Sequence, residues 1–284
     1  MAEFHIRPLE PADVDAAYEI LADWQTKVFG EAEISHGMFS NFQEIVAAAY
    51  VAETPEGIVG HADVRADDVN VLVRGPQRRQ GIGSALLRAC EERAQGDTLR
   101  LIGLTDEPAA APFAAANGYE RAWEVWLMGV DLPTEPAPVA WPEGVAVRTF
   151  RDDDAPAVKD LLDKAYAAEP GHMPLSFEDW KTLMLGDPSF DPEAWFLVVA
   201  DERIVGGALN WKEGYVKDLV VHPDWRGRGL GKALMLQTFA EFARRGIERV
   251  TLKTDSINPT GAWRLYERLG MKAERNYEVF EKRF

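Results

Sequence analysis

The sequence predicts a mixed α/β protein, an α+β arrangement of elements written twice along the chain. Three observations carry this. A short strand pattern followed by an acid-capped amphipathic helix occurs at FHIRPLEPADVDAAYEILADW near the start and returns at VAVRTFRDDDAPAVKDLLDKAY from Val145. Strand segments ending in Ile58-Val59-Gly60 and Ile204-Val205-Gly206 are each followed by a glycine loop, Arg78-x-x-Gly81-x-Gly83 and Arg226-x-x-Gly229-x-Gly231. The turns Asn117-Gly118-Tyr119 and Leu269-Gly270-Met271 then follow in the same order, as an internal repeat requires.

Within each copy the elements run strand, one or two helices, two or three strands, glycine loop, helix, strand, helix and closing strands. After the first glycine loop, Ile82, Ala85, Leu86, Ala89 and Cys90 fall on one face of a helix, which makes Cys90 a core residue. The matching helix of the second copy is apolar around most of its girth through Leu230, Leu234, Met235, Leu236 and Phe239, the pattern of a helix packed on a sheet. Between the copies, Pro133, Pro136, Pro138 and Pro142 oppose any regular element and favour an extended linker. The expected domains are therefore 1–132 and 144–284, joined by a linker at 133–143.

With 46% hydrophobic and 27% charged residues the chain has the composition of a folded protein rather than a disordered one. Its 47 acidic residues against 31 basic ones give a net charge of -16, which opposes nucleic acid as a partner. Cys90 is the single cysteine, so no internal disulfide forms, and no His- or Cys-rich motif predicts a metal site. The N-terminal MAEFHIRPLEP has no signal-peptide pattern and the longest apolar stretch, Ala194 to Ala200, is too short for a membrane span, so a cytoplasmic protein is expected.

The glycine loops carry the strongest chemical signal. Val216-Lys217-Asp218-Leu219-Val220-Val221 reads as a strand that passes through His222-Pro223-Asp224-Trp225 into Arg226-Gly227-Arg228-Gly229-Leu230-Gly231 and then a helix. Free N–H groups and the positive end of the dipole at a helix N-terminus bind anions, and glycine lets a phosphate approach. A nucleotide-triphosphate loop would need Ser or Thr after Lys232 and a glycine at Arg226; Ala233 follows the lysine instead. The dinucleotide fingerprint would need a third glycine where Leu234 and, in the first copy, Leu86 stand.

What fits both copies is [Arg or Gln]-x-x-Gly-x-[Gly or Ala] after a strand, and here the sequence resembles the GNAT superfamily of acyl-CoA-dependent N-acyltransferases. The resemblance covers both halves and is strongest in DLVVHPDWRGRGLGKALM and NPTGAWRLYERLGMK of the second; in the first it rests on VLVRGPQRRQGIGSALL. It implies two domains, each a central mixed, mostly antiparallel sheet flanked by helices. It also implies that Arg226, Gly227, Arg228, Gly229, Leu230, Gly231 and Lys232 grip the pyrophosphate of acetyl-CoA, the cosubstrate, with no metal. The backbone of Leu219, Val220 and Val221 would pair with the pantetheine arm, Asn258 would touch that arm, and Arg78, Gly81 and Gly83 would mark the loop of the first copy.

Acyl transfer from a thioester to an amine needs a neutral amine and a proton for the departing thiolate. The resemblance assigns delivery of that proton to Tyr266, which follows Asn258-Pro259 and precedes Leu269-Gly270-Met271. In the first copy Glu107 occupies the place of Asn258, alanines occupy that of the tyrosine, and Pro112 is expected to interrupt the helix. The first copy is accordingly expected to be degenerate and the second catalytic. Asp218 is the expected proton acceptor, with Glu213 its rival. Glu169, His172, Glu178 and Asp179 stand where a cationic acceptor would enter, while His222 before Pro223 reads as a turn residue. The expected reaction is direct acetyl transfer to the primary amine of a small molecule. The tandem layout also resembles that of members acting on an amino-thiol sugar conjugate, and a non-catalytic acyl-CoA-binding protein is the reading that Tyr266 opposes.

Overall fold

A computed structural model describes residues 3–32, 34–65, 67–93, 96–105, 107–167, 169 and 175–284. It divides the chain into two compact units: Met1–Ala122 with Glu278–Phe284, and Trp123–Tyr277. This division differs from the expected boundary at 133–143. The strand that ends the first half of the sequence lies largely in the second unit, and the last residues of the chain lie in the first.

The first unit contains β1 (His5–Pro8), α1 (Val14–Phe29), α2 (His36–Ile45), β2 (Ala48–Thr54), β3 (Gly57–Arg65), β4 (Asp68–Val73), α3 (Ile82–Glu91), β5 (Thr98–Leu104) and α4 (Ala110–Ala116), with the start of β6 (Glu120–Asp131). Its strand order is β1-β2-β3-β4-β5, closed by the chain's terminal residues, and the pairings are antiparallel except for β4 with β5. As the apolar spacing predicts, Ile82, Leu86 and Cys90 of α3 are buried, against Val59, Ala62 and Val64 of β3 and Leu99 of β5. Lys282 pairs with Glu91 at 2.9 Å and the Phe284 N–H donates to Asp97 O at 2.9 Å, which fixes the terminal strand in this unit.

The second unit repeats the plan with β7 (Ala146–Thr149), α5 (Ala155–Tyr166), α6 (Phe177–Leu185), β8 (Phe196–Ala200), β9 (Arg203–Trp211), β10 (Tyr215–Val221), α7 (Leu230–Arg244), β11 (Arg249–Asp255), α8 (Ala262–Arg268) and the first residues of β12 (Lys272–Arg283). The strand order is β7-β8-β9-β10-β11-β6, with β10 and β11 the parallel pair. Trp123–Asp131 of β6 lies between β11 and the first residues of β12 in this sheet, in register with β11 from Asp131 opposite Arg249 to Val125 opposite Asp255. One face of α7, Leu230 and Leu234, packs on Phe196, Val198 and Ala208, while Met235, Phe239 and Phe242 pack on Val250, Leu252 and Tyr266. An all-round apolar helix has neighbours on both sides.

The repeat extends to the ends of the helices. Arg7 donates to Asp13 at 2.9 Å and Arg148 to Asp154 at 2.7 Å, and each aspartate also accepts a backbone N–H three residues before it, at Glu10 and Arg151. The pair fixes the entry of α1 or α5 beside its first strand. Pro112 lies in the first turn of α4, where helix N–H groups have no intrahelical acceptor, so the helix continues through Ala116 instead of being interrupted.

Candidate active site

The parallel pair β10 and β11 opens soon after it begins. Pairing is restricted to Tyr215 with Thr251 and Val216 with Leu252, whereas on its other edge β10 runs with β9 as far as Val221. A bulge between Val216 and Asp218 shifts that register, and an extra residue bends its strand and increases its twist. The β11-facing edge from Asp218 to Val221 therefore carries backbone groups without a ladder partner, beside a cavity of about 960 Å³. In the first unit β4 opens from β5 after Val69 in the same way, but β3 and β4 pair without a bulge.

Beyond β10 a short 3-10 turn at Pro223–Trp225 leads into the glycine loop. His222 caps this turn, its Nδ1 accepting the Asp224 N–H at 3.3 Å, so it is a turn residue. Gly227 and Gly229 have φ of 74° and 88°, and an added Cβ at either would meet no atom within 4 Å. Backbone conformation, together with open space above the loop, is thus the reason for both. The loop delivers the N-terminus of α7, including Leu230, Gly231 and Lys232, to the cavity wall. The helix's first N–H groups, which lack intrahelical acceptors, are turned toward that space. Gly231 serves packing instead, since a Cβ there would lie 3.2 Å from Leu265 Cδ2, and its absence allows α8 to approach α7. Arg228 lies 4.5 Å from the Trp225 ring and donates to Asp224 O at 3.1 Å. In the first unit the same conformation recurs with Gly81 at φ 87° and Arg79, a non-glycine, at φ 65°.

The loop arginine joins the remaining wall to this one. Arg226 donates from Nε to Val221 O at 3.3 Å and from Nη2 to Ala165 O at 2.8 Å. That second bond holds the end of α5, so Tyr166 and Glu169 line the same cavity as Asp218 and Tyr266. Tyr266 is 6% exposed and its ring belongs to the core, so the residue both packs on the sheet and borders the cleft. Burial, with the charges of Glu169 and Asp218 nearby, holds its hydroxyl well above the ordinary tyrosine pKa. A hydroxyl so held stays protonated, as a proton donor must.

Three carboxylates line the cleft, those of Glu169, Asp218 and Asp255, and the first two meet it under different conditions. Asp218 Oδ1 accepts the Tyr166 hydroxyl at 2.9 Å, and its Oδ2 lies 3.7 Å from Lys217 Nζ. Glu169 Oε1 accepts from Asn258 Nδ2 at 2.8 Å. Burial and the negative charges of Asp255 and Asp218 push the Glu169 carboxyl up to about 7, against the pull of Asn258 and Arg226. Asn258 is held in turn: its Oδ1 accepts from the Thr260 N–H at 2.9 Å and hydroxyl at 2.6 Å. The amide expected to touch the cosubstrate arm is thus engaged with Glu169 and Thr260.

The other sequence candidates stand elsewhere. Glu213 is exposed beside Lys212 in the turn before β10. Glu178 and Asp179 occupy the first turn of α6, where the Asp179 carboxylate accepts from the capping Ser176 hydroxyl at 2.6 Å. His172 lies outside the described residues. Missed by the sequence reading were Tyr166, the last residue of an amphipathic helix, and Asp255, the end of a strand; both patterns read as ordinary element ends. In the first unit Arg78 repeats the strand-end bond, donating to Val73 O at 3.1 Å, but turns its Nη1 to Glu107 at 3.3 Å. Gly83 there faces Phe113, 3.1 Å from a built Cβ. Among the described residues no group of three His, Cys, Asp or Glu side chains is disposed to hold a metal, and no helix is long and apolar enough to cross a membrane.

Comparison with known proteins gives two family matches in one chain: the acetyltransferase (GNAT) family over residues 155–271 and an acetyltransferase (GNAT) domain over residues 46–121. The chain is 33% identical to a mycothiol acetyltransferase of Geodermatophilus obscurus, with 92% of each sequence covered. Among solved structures it is similar to a GCN5-related N-acetyltransferase from Sphaerobacter thermophilus, with TM-score 0.74, 28% identity and 100% and 97% of the two chains covered. A tandem GNAT protein of the clavulanic acid biosynthesis pathway shares the fold at TM-score 0.70 and 19% identity, over 99% and 98% of the chains.

Proposed function

Because this chain belongs to the GNAT family of acyl-CoA-dependent N-acetyltransferases, we propose that its second unit transfers an acetyl group from acetyl-CoA to the primary amine of a small molecule by direct attack. One observation carries the reading: the unpaired edge of β10, the glycine loop and Tyr266 border one cavity. The residues fit the cosubstrate. Leu219, Val220 and Val221 offer backbone donors and acceptors to a pantetheine arm, as a sheet edge does to an added strand. Gly227, Gly229 and the first turn of α7 offer unpaired N–H groups and open space to a pyrophosphate. Acetyl-CoA supplies a thioester activated toward amines.

Tyr266 supplies the proton that the departing thiolate needs, and its burial keeps that proton in place until a base forms beside it. The first unit lacks this equipment. Apart from Pro112 and Phe113 the residues of α4 are alanines, none of which can donate a proton, and the Glu107 carboxylate lies against Arg78, where a phosphate would meet a negative charge. It serves as a degenerate copy.

A narrower acceptor, the amino-thiol sugar conjugate that mycothiol synthase acetylates, is favoured by the relatives, since the Geodermatophilus protein matches nearly the whole chain. The decisive experiment incubates the protein with acetyl-CoA and a panel holding glucosamine, cysteinamide, spermidine and a cysteinyl-glucosamine conjugate, followed by mass spectrometry. An acetylated amine, lost with Tyr266→Phe, is the expected result. Binding of acetyl-CoA without transfer to any amine would favour a non-catalytic acyl-CoA-binding protein.

A further inference from the structure

We propose that Glu169, held by Asn258 in the lining of the cleft, takes the proton from the acceptor's ammonium group, and that Asp218 with Tyr166 positions the surroundings instead. The inference rests on the acetyltransferase reading above and names the group that the reaction still needs.

Geometry separates Glu169 from Asp218. Asp218 is engaged on both oxygens, by the Tyr166 hydroxyl at 2.9 Å and by the Lys217 ammonium at 3.7 Å. Glu169 accepts from Asn258 through Oε1 at 2.8 Å and borders the cavity shared with Tyr266. The Asn258 amide is itself held by two hydrogen bonds from Thr260, so the donor that aims Glu169 is held in turn. A general base must be both held and basic enough at the working pH. The groups facing Glu169 are Asp255 on β11, Asp218 on β10, Arg226 in the glycine loop, Asn258 after β11, and the two tyrosines Tyr166 and Tyr266. Three influences disfavour a charge on Glu169: the burial it shares with the tyrosines, Asp255 and Asp218. Its carboxyl, at about 7, is half ionised at neutral pH.

The step balances without a further reactant. The ammonium gives one proton to the Glu169 carboxylate, and the neutral amine nitrogen forms its bond to the acetyl carbon. The carbon–sulfur bond breaks, the sulfur takes the Tyr266 proton, and the nitrogen's surplus proton returns to Tyr266 as the amide forms. Glu169 then loses its proton to solvent. The acceptor class implied is a primary amine that is protonated at neutral pH and needs an acid group beside it to become a nucleophile.

Two measurements on the full chain test this. Carbon-13 NMR of protein carrying carboxyl-labelled glutamate should show one carboxyl titrating near 7 that is missing from Glu169→Gln. The pH profile of kcat/KM, with acetyl-CoA and the fastest amine of the panel above, should have an acidic limb near 7. That limb should vanish in Glu169→Gln with a loss of about 10²-fold or more, while acetyl-CoA affinity by calorimetry stays within a few-fold. It should persist in Asp218→Asn and move to higher pH in Asn258→Ala, because the lost amide donor had favoured the charged carboxylate. A Glu169 carboxyl titrating in the ordinary range, or a Glu169→Gln enzyme that keeps both rate and limb, would overturn the proposal. If no amine is acetylated although acetyl-CoA binds, the acetyltransferase reading itself fails and takes this one with it. An intact reaction with an unmoved limb in Asn258→Ala sinks only the role of Glu169.

Discussion

Arg226 donates to the main-chain oxygen of Ala165 at 2.8 Å, so the residue that opens the glycine loop also holds the last turn of α5. The same guanidinium reaches Val221 O at 3.3 Å. One planar group thereby ties the end of β10, the loop and the helix that ends at Tyr166, ahead of Glu169. A lysine has the charge but not the fork that spans two carbonyls.

Arg226→Ala is therefore expected to cost about 1–2 kcal/mol of stability through its two lost hydrogen bonds. It should also raise the KM for acetyl-CoA by about 10-fold as the loop and the α5 end lose their common anchor. Arg226→Lys should recover little of either. Thermal denaturation and steady-state kinetics measure the two effects, and a lysine variant equal to the parent would reduce Arg226 to a simple charge.

Tyr266→Phe keeps the ring in its cluster with Met235, Phe242 and Leu252 and removes only the hydroxyl. The expected result is a fall in kcat of about 10²-fold with acetyl-CoA affinity and melting temperature nearly unchanged. A loss of stability with full turnover would show that the ring's packing is its whole contribution.

Acid should weaken the first unit through a buried histidine. His61 on β3 is 1% exposed, and burial holds its pKa below the ordinary histidine value despite Asp63 at 3.7 Å. A base with a depressed folded pKa binds fewer protons folded than unfolded. Its stabilising contribution is complete above about pH 6.5 and is lost as the pH falls below that value. Hydrogen exchange of β3 amides should accelerate between about pH 6.5 and 5 beyond its intrinsic pH dependence, and His61→Gln should flatten the change. Glu169 acts with the opposite sign in the second unit. A carboxyl raised to about 7 gives up stability as the pH rises from the ordinary carboxylate range through 7, so Glu169→Gln should melt higher than the parent at about pH 8.

Much of this organisation was legible because it is local. Turn glycines, the helical spacing of Leu230, Leu234 and Phe239, and the doubled Arg-x-x-Gly-x-Gly each constrain a few consecutive residues. What escaped depends on partners distant in sequence. Nothing near Trp123 or Phe284 states which sheet each will join, and the compact units consequently differ from the proline-marked boundary. Asn258 was legible as a turn residue, but its bond to Glu169 joins segments 89 residues apart. The bulge at Lys217 likewise depends on the pairing of β10 with β9 on one side and its release from β11 on the other. Pro112 was misjudged for another reason: its effect depends on the helix start, which places it within the first turn.

The two glycine loops allow a paired experiment that separates packing from chemistry. A Cβ built on Gly83 lies 3.1 Å from Phe113 Cε2, and one built on Gly231 lies 3.2 Å from Leu265 Cδ2, so valine crowds the following helix in either unit by a similar amount. Overpacking of this kind costs about 1–3 kcal/mol. The functional consequences should diverge, because the crowded helix in the second unit carries Tyr266 whereas α4 in the first carries alanines. Gly83→Val should leave kcat within a few-fold of the parent, and Gly231→Val should lower it by about 10²-fold by displacing Tyr266, the proposed proton donor, from its position. Leu265→Ala, which makes room beside the valine introduced by Gly231→Val, should restore part of the loss if the fault is a moved helix. If the fault is an obstructed phosphate site, it should restore none. Circular dichroism must show both single variants folded. A folded Gly83 variant without activity would move the catalytic assignment to the first unit, where neither Glu107 nor the alanines of α4 provide the acid that the reaction requires.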